Sequence, residues 1–256
     1  MTDPRAMADR LIEAERGRSG ILPFTRANPF LGPETAYAAQ ELFYGQRLAA
    51  GERLVGLKLG LTSRVKQLAL GIDSPVYGHL TSAMVVPFGE PVRLDELISP
   101  KIEPELAFVM GREIGDHLGL AEVLAAVEAV MPALEIVDSR YRTAFRLVDS
   151  VADNAGAARV VLGAAARPPR ELADLKLLGC VFRHSRGIDT ATGGAAMGHP
   201  AAAISWLAHQ LVRRGRSIQP GQVILSGGLT SSIPLRRGQS VRAEFDGLGS
   251  VQVRVA

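Results

Sequence analysis

A single cysteine in 256 residues, Cys180, excludes an intramolecular disulfide, and its setting in Leu177-Leu178-Gly179-Cys180-Val181-Phe182 marks it as core filler rather than a nucleophile. A reducing cytoplasm is therefore the expected location. Apolar runs stay well short of the roughly 20 residues needed to span a bilayer. The opening Met1-Thr2-Asp3-Pro4-Arg5 lacks the pattern of a secretory leader. The five histidines, His79, His117, His184, His199 and His209, never form His-x-His or His-Glu-x-x-His, so each is expected to be structural or solvated and zinc is not expected. No Gly-x-Ser-x-Gly elbow is present, and Gly247-x-Gly249 lacks the third glycine and following helix of a dinucleotide fingerprint. Lysine is scarce: Lys58, Lys66, Lys101 and Lys176 are the only four among 29 basic residues. The arginines are scattered among 26 acids without a basic run or aromatic platform, so a net charge of +3 does not amount to a nucleic-acid footprint.

What the chain does have is three carboxylates in strongly apolar surroundings. In Lys101-Ile102-Glu103-Pro104-Glu105-Leu106-Ala107-Phe108-Val109, residues two apart project from one face of an extended strand, so Glu103 and Glu105 point the same way. A third acid, Glu135, interrupts Val130-Met131-Pro132-Ala133-Leu134-Glu135-Ile136-Val137. A Glu-x-Glu pair on a strand is ordinarily a solvated face, yet the flanking Phe108, Leu134 and Ile136 argue against solvated strands. Three converging buried acids would repel one another and lose hydration unless a cation offsets the cost. An all-oxygen ligand set selects a hard ion, Mg²⁺ or Mn²⁺.

The predicted fold class is α+β, a β-rich core with a small helical N-terminal element. Helical spacing over residues 4–18 and 34–50 predicts that element within 1–52, and 53–256 is expected to form the β-rich catalytic domain. From Val55 onward short apolar runs alternate with Gly, Pro and Asp. Strands are predicted at Val55–Leu61, Val85–Val86, Ile102–Met110, Val130–Val137, Arg159–Leu162, Leu177–Arg183, Gln222–Leu225, Ser240–Phe245 and Val251–Val255. Helices are predicted at Ser63–Leu70, Leu120–Glu128 and Pro200–Arg214.

Two further candidates carry chemistry. Lys58, in Gly56-Leu57-Lys58-Leu59-Gly60-Leu61-Thr62, is either an exposed strand lysine or a buried ammonium that needs a counter-charge; the acidic cluster favours the second reading. Ser226-Gly227-Gly228-Leu229-Thr230 follows a strand and is either an anion-binding row of N–H groups or a plain turn.

Several of these segments together resemble the fumarylacetoacetate hydrolase superfamily, in its branch of vinylpyruvate hydratases and 2-oxo-3-hexenedioate decarboxylases. The resemblance spans about Val55 to Val255. It is carried by Gly56-Leu57-Lys58-Leu59-Gly60-Leu61-Thr62-Ser63, Pro75-Val76-Tyr77-Gly78, Lys101-Ile102-Glu103-Pro104-Glu105, Glu135-Ile136-Val137-Asp138-Ser139-Arg140-Tyr141, Val151-Ala152-Asp153-Asn154-Ala155, Gly198-His199-Pro200 and Gly247-Leu248-Gly249-Ser250-Val251. It implies a fumarylacetoacetate hydrolase-like mixed sheet or β-roll and homo-oligomeric assembly, with Glu103, Glu105 and Glu135 holding Mg²⁺ or Mn²⁺. Lys58 is implied to face a small 2-oxo dicarboxylate substrate, whose site is lined by the backbone of Leu106 and by Val76, Asn154, Ser226 and Gly227. Arg140 is the candidate for the distal carboxylate. A complex with a vinylpyruvate hydratase is also implied; nucleic-acid and membrane partners are not.

Within that branch, hydratases carry an aspartate where this chain has Val76, and decarboxylases carry an aliphatic residue. Hydration needs a proton-transferring group near the diene, and valine cannot serve. Tyr141 and Ser226-Gly227-Gly228 also resemble the decarboxylase side. Decarboxylation in the catabolism of aromatic compounds is thus the expected activity, with the hydratase as the alternative. A carbon–carbon hydrolase of the superfamily needs a Glu–His pair, and no histidine precedes His79. A non-catalytic subunit is disfavoured because Glu103, Glu105, Glu135 and Lys58 are all present.

Overall fold

The computed structural model describes residues 3–70, 72, 74–115 and 118–256; His117 and the first two residues of the expected non-leader start lie outside the described residues. The chain opens with helices. In α1 (Pro4–Gly17), Asp3 caps the first turn by accepting the N–H groups of Arg5 at 3.1 Å and Ala6 at 3.4 Å, and Pro4 arrives with its φ already helical. Its stripe of Met7, Ala8, Leu11 and Ile12 is buried. A single turn, α2 (Phe24–Ala27), leads to α3 (Pro33–Ala49), which packs against α1.

Next come β1 (Leu54–Gly60), α4 (Arg64–Leu70), β2 (Val76–Thr81), β3 (Lys101–Met110), α5 (Leu120–Ala126), β4 (Val127–Val137), α6 (Leu147–Ala152) and β5 (Ala157–Leu162). The remainder forms β6 (Gly179–His184), β7 (Gly187–Thr192), α7 (Pro200–Val212), β8 (Val223–Leu225), β9 (Ile233–Pro234), β10 (Ser240–Phe245) and β11 (Gly249–Arg254). The larger sheet runs β2-β1-β8-β3-β4-β5, with β9 also joined to β3. Among the described residues, only β1 and β8 pair as parallel strands within it. The smaller sheet, β11-β10-β6-β7, is antiparallel throughout. This is the expected α+β class with a mixed sheet.

The two sheets and α7 enclose the main core, to which β3 and β4 contribute Ile102, Leu106, Phe108, Leu134 and Ile136, the small sheet Ala243, Phe245, Val251 and Val253, and α7 Ile204, Leu207 and Leu211. Strand alternation then sends Lys101, Glu103 and Glu105 of β3 to the opposite face. The N-terminal helices do not stand apart. Met7, Leu11, Phe24 and Phe43 share a second cluster with Val76, Tyr141, Val151 and Ala155 from the region around β2 and α6.

Several elements differ from the sequence expectation. Val85–Val86 forms only an isolated bridge, Val85 to Val160. The helix begun at Leu120 ends at Ala126, because β4 starts at Val127 to pair with the end of β3 across a bulge. Strand β2 goes unrecognised in the sequence because it is buried on both faces and so lacks alternation, and Gly78 within it is pressed by the Asn154 backbone. Strand β7 is a polar edge without an apolar run.

Polar ties fix the helical element to the sheet domain. The Glu15 carboxylate of α1 accepts from Arg140 Nη2 at 2.7 Å and Nε at 3.1 Å, and also pairs with Arg47. Asp149 accepts Thr25 N at 3.0 Å and Thr25 Oγ1 at 2.6 Å. Burial alone would raise the Glu15 carboxyl, but Arg140 and Arg47 together hold it down at about 2, against an ordinary 4.5. A depressed folded-state value contributes stability above the unfolded value, which is lost as pH falls through 4.5 towards 2. Glu15→Gln is therefore expected to flatten the fall of the urea midpoint over that acid range; an unchanged pH profile would remove Glu15 from the balance.

Candidate active site

The register of β3 against β4 sets Glu103 directly opposite Glu135, with Glu105 two residues further along on the same face. One carboxylate oxygen from each lies within 4.8 Å of the other two, and among the described residues no other group of three or more His, Cys, Asp or Glu meets that condition. Glu105 and Glu135 are fully buried and Glu103 half-buried. Lys58 comes in from β1. Its Nζ lies 3.1 Å from Glu135 Oε1 as an ion pair and donates to the Ala155 carbonyl at 3.1 Å.

The glycines after β8 bring their backbone against the acids. Gly227 N donates to Glu105 Oε2 at 2.7 Å from a left-handed φ of 102°, and a Cβ there would strike the Thr62 side chain. A Cβ on Gly228 would strike the Glu103 carboxylate. The Gly-Gly pair is therefore a close approach as well as a turn.

Burial, then repulsion from Glu135 and Glu103, push the Glu105 carboxyl well above the usual range, against the pull of Lys58. Burial raises Glu135 as well, although Lys58 opposes it. For Lys58, burial alone would lower the ammonium, but Glu135, Glu105 and Glu103 more than reverse this. One cation thus faces three acids. Glu105 Oε1 and Glu135 Oε2 are buried without a hydrogen bond, and Glu135 Oε1 has only the Lys58 ion pair. Converging, orphaned carboxylate oxygens are the donor set of a hard divalent ion, so the residues present fit Mg²⁺ or Mn²⁺.

A cavity of about 960 Å³ opens over this cluster. Its wall includes Lys58, Thr62, Val76, Lys101, Glu103, Tyr141, Arg146 and Gly228. A smaller cavity of about 500 Å³, bounded by Arg93, Arg159 and Ala256, contains none of the three acids.

The sequence candidates are placed unequally. Lys58, Glu103, Glu105 and Glu135 come together, Val76 lines the cavity, and Gly227 holds Glu105. The Leu106 side chain lies in the main core and its carbonyl accepts Ser226 N at 3.1 Å, while Ser226 Oγ is buried without a partner. Asn154 is occupied by β2, accepting His79 N at 2.7 Å and donating to His79 O at 2.9 Å. Arg140 corrects the expectation most plainly. It is fully buried, bonded to Glu15 and to the carbonyls of Asp138 and Ala157, ion-paired with Asp153 at 3.4 Å, and absent from the cavity wall. Its guanidinium holds the fold, leaving no free fork for a substrate carboxylate.

Cavity residues given no role in the sequence reading include Thr62, Lys101 and Arg146. Lys101 carried a signal: it precedes Glu103 by two and shares its face. Among the described residues, no histidine joins the cluster. His79 stacks on Tyr44 at 4.1 Å, and burial and Arg216 push it down to about 3, so it is a neutral core residue.

A family model described as fumarylacetoacetate (FAA) hydrolase C-terminal matches residues 55–256, which hold every residue of this site. The chain belongs to the fumarylacetoacetate hydrolase family. Among family members, a TodF product hydratase of Pseudomonas putida is 38% identical over 98% of this chain and 95% of its own. A 4-oxalocrotonate decarboxylase of Pseudomonas sp. is 36% identical over 97% of this chain and 95% of its own. The structure of the 4-oxalocrotonate decarboxylase from Pseudomonas putida G7, complexed with magnesium and adipate, superposes with a TM-score of 0.95 at 34% identity, covering 99% of this chain and 97% of that one. The chain therefore falls in the hydratase/decarboxylase group of fumarylacetoacetate hydrolase family enzymes, whose members carry both names at similar identity. Among the described residues, no helix is long and apolar enough to cross a membrane.

Gly228→Ala is expected to displace the Glu103 carboxylate and weaken Mn²⁺ binding roughly tenfold or more in calorimetry, with the circular dichroism spectrum unchanged. Equal affinity would mean that Glu103 is not a ligand.

Proposed function

We propose that this protein is a divalent-metal-dependent decarboxylase that converts 2-oxohex-3-enedioate to 2-hydroxypenta-2,4-dienoate and CO₂. The observation that carries the choice over hydration is Val76. It is buried in the cavity wall on β2, opposite Gly60, and a Cβ placed on Gly60 would lie 3.1 Å from Val76 Cγ2 and 3.6 Å from Lys58 Nζ. An aliphatic side chain thus occupies the wall beside the ammonium, where it can exclude water but cannot move a proton.

Glu103, Glu105 and Glu135 would hold the metal, and the magnesium and adipate of the Pseudomonas putida G7 relative support that reading. When bound, a divalent ion acts as a Lewis acid towards oxygens of a chelating 2-oxo acid. The C5–C6 bond breaks, C6 leaves as CO₂, and its electron pair passes through the conjugated C3–C4 double bond to the 2-oxo oxygen. Lys58 faces that oxygen with positive charge and donates a proton to it, giving the 2-hydroxydiene. The Ala155 carbonyl and Glu135 aim the ammonium, and Gly227 N–H fixes Glu105. Homo-oligomeric assembly and association with a vinylpyruvate hydratase belong to the same proposal.

The test supplies purified protein with 2-oxohex-3-enedioate, with and without Mg²⁺, and follows CO₂ and ultraviolet absorbance. Mg²⁺-dependent CO₂ release is expected; hydration of 2-hydroxypenta-2,4-dienoate without CO₂ release from the dicarboxylate would overturn the proposal. Glu105→Gln is expected to slow turnover roughly 100-fold or more, and unchanged Mg²⁺ dependence of its rate would remove Glu105 from the site. Lys58→Ala should lower kcat while calorimetry still detects metal; normal turnover would make Lys58 purely structural.

A further inference from the structure

The exposed face of β3 grades from floor to mouth. Glu105 is fully buried, Glu103 half-buried and Lys101 exposed, and all three project from the same side of one strand. Successive same-side residues on a strand stand roughly 6–7 Å apart along it. Lys101 is therefore one step further towards solvent than Glu103, at a spacing comparable to an extended six-carbon chain that starts at the acidic cluster.

Among the described residues, three cationic side chains line the cavity: Lys58, Lys101 and Arg146. Lys58 is committed to Glu135 and the Ala155 carbonyl. The Arg146 Nη1 donates to the Pro29 carbonyl at 2.8 Å. Lys101 makes no side-chain hydrogen bond or ion pair among the described residues, although β3 fixes its backbone between Val137 of β4 and Pro234 of β9. Its base is thus anchored and its ammonium uncommitted. Ser99, Ser231 and Ser232 line the cavity with it, so that end of the wall is polar while Val76 is apolar.

We propose that Lys101 is the specificity-determining residue that receives the distal carboxylate of a 2-oxo dicarboxylate whose 2-oxo acid end lies at Glu103, Glu105 and Glu135. This deepens the reading of the site given above and rests on it. Arg140, the other cation considered for that task, is locked in the fold. An ammonium at the solvent-facing end is screened by water, so it orients the carboxylate without binding it as strongly as a buried cation would. That suits a group which must depart as neutral CO₂.

The test uses the Mg²⁺-loaded full chain and two saturated analogues, 2-oxohexanedioate and 2-oxohexanoate, which differ only in the distal carboxylate. Calorimetry on the wild type is expected to show roughly tenfold tighter binding of the dicarboxylate, as befits one charge-assisted contact. Lys101→Met should abolish that preference while leaving the affinity for 2-oxohexanoate unchanged, which a merely structural role would not produce. Arg146→Met should retain it. Persistence of the preference in Lys101→Met, or its loss only in Arg146→Met, overturns the assignment of Lys101 and leaves the decarboxylase reading standing. No preference in the wild type overturns the dicarboxylate reading itself, and no binding of either acid overturns the metal-chelation reading along with it.

Discussion

Two like charges placed directly opposite each other across β3 and β4, Glu103 and Glu135, are the constraint to which the rest of the structure answers. Such a cross-strand pair is destabilising in an ordinary sheet, and here Glu105 adds a third acid on the same face. The register cannot relax to separate them. A slip of one residue would send the acids into the main core and Ile102, Leu106 and Phe108 out of it. The apolar face of the two strands therefore holds the acids together against their repulsion.

What surrounds the cluster offsets part of that repulsion. Lys58 supplies one positive charge from β1, two strands away across β8, and Gly227 supplies an N–H from the loop after β8. The remaining imbalance shows in the raised carboxyls of Glu105 and Glu135 and in their orphaned oxygens. Breaking a buried ion pair by removing its cation leaves uncompensated charge, so Lys58 has a structural part as well as a chemical one. Asn154 contributes indirectly: by clamping the backbone of β2 it fixes the turn whose next residue, Ala155, presents its carbonyl to Lys58.

A second buried charge network shows why burial and conspicuous position do not by themselves mark a site. Arg140, Glu15, Asp153 and Arg47 join the helical element to the sheet domain, and each Arg140 nitrogen already has a partner. The Arg140 guanidinium is spent on these partners, whereas Glu105 and Glu135 keep buried oxygens without hydrogen bonds next to the cavity-lining Glu103, where a cation lowers the energy. From sequence, Arg140 was the candidate for the distal carboxylate and Lys101 was given no role. The difference is topological, since α1 delivers Glu15 to Arg140 and the described structure delivers no acid to Lys101.

The sequence alone determined the local facts: which residues of β3 share a face, that Glu135 breaks an apolar strand, that Pro200 begins a helix, and that a second cysteine and the His-x-His and Gly-x-Ser-x-Gly spacings are absent. These follow from backbone periodicity and side-chain chemistry, which need no long-range information. Strand β2 escaped because burial on both faces removed its alternation, and the end of α5 was misjudged because pairing with β3 outweighed helix propensity. Only the tertiary structure decided that Glu103 and Glu135 stand in register, that Lys58 reaches them, and that Arg140 is spent on Glu15. Those are encounters between residues far apart in the chain, settled by sheet register and packing rather than by any local spacing.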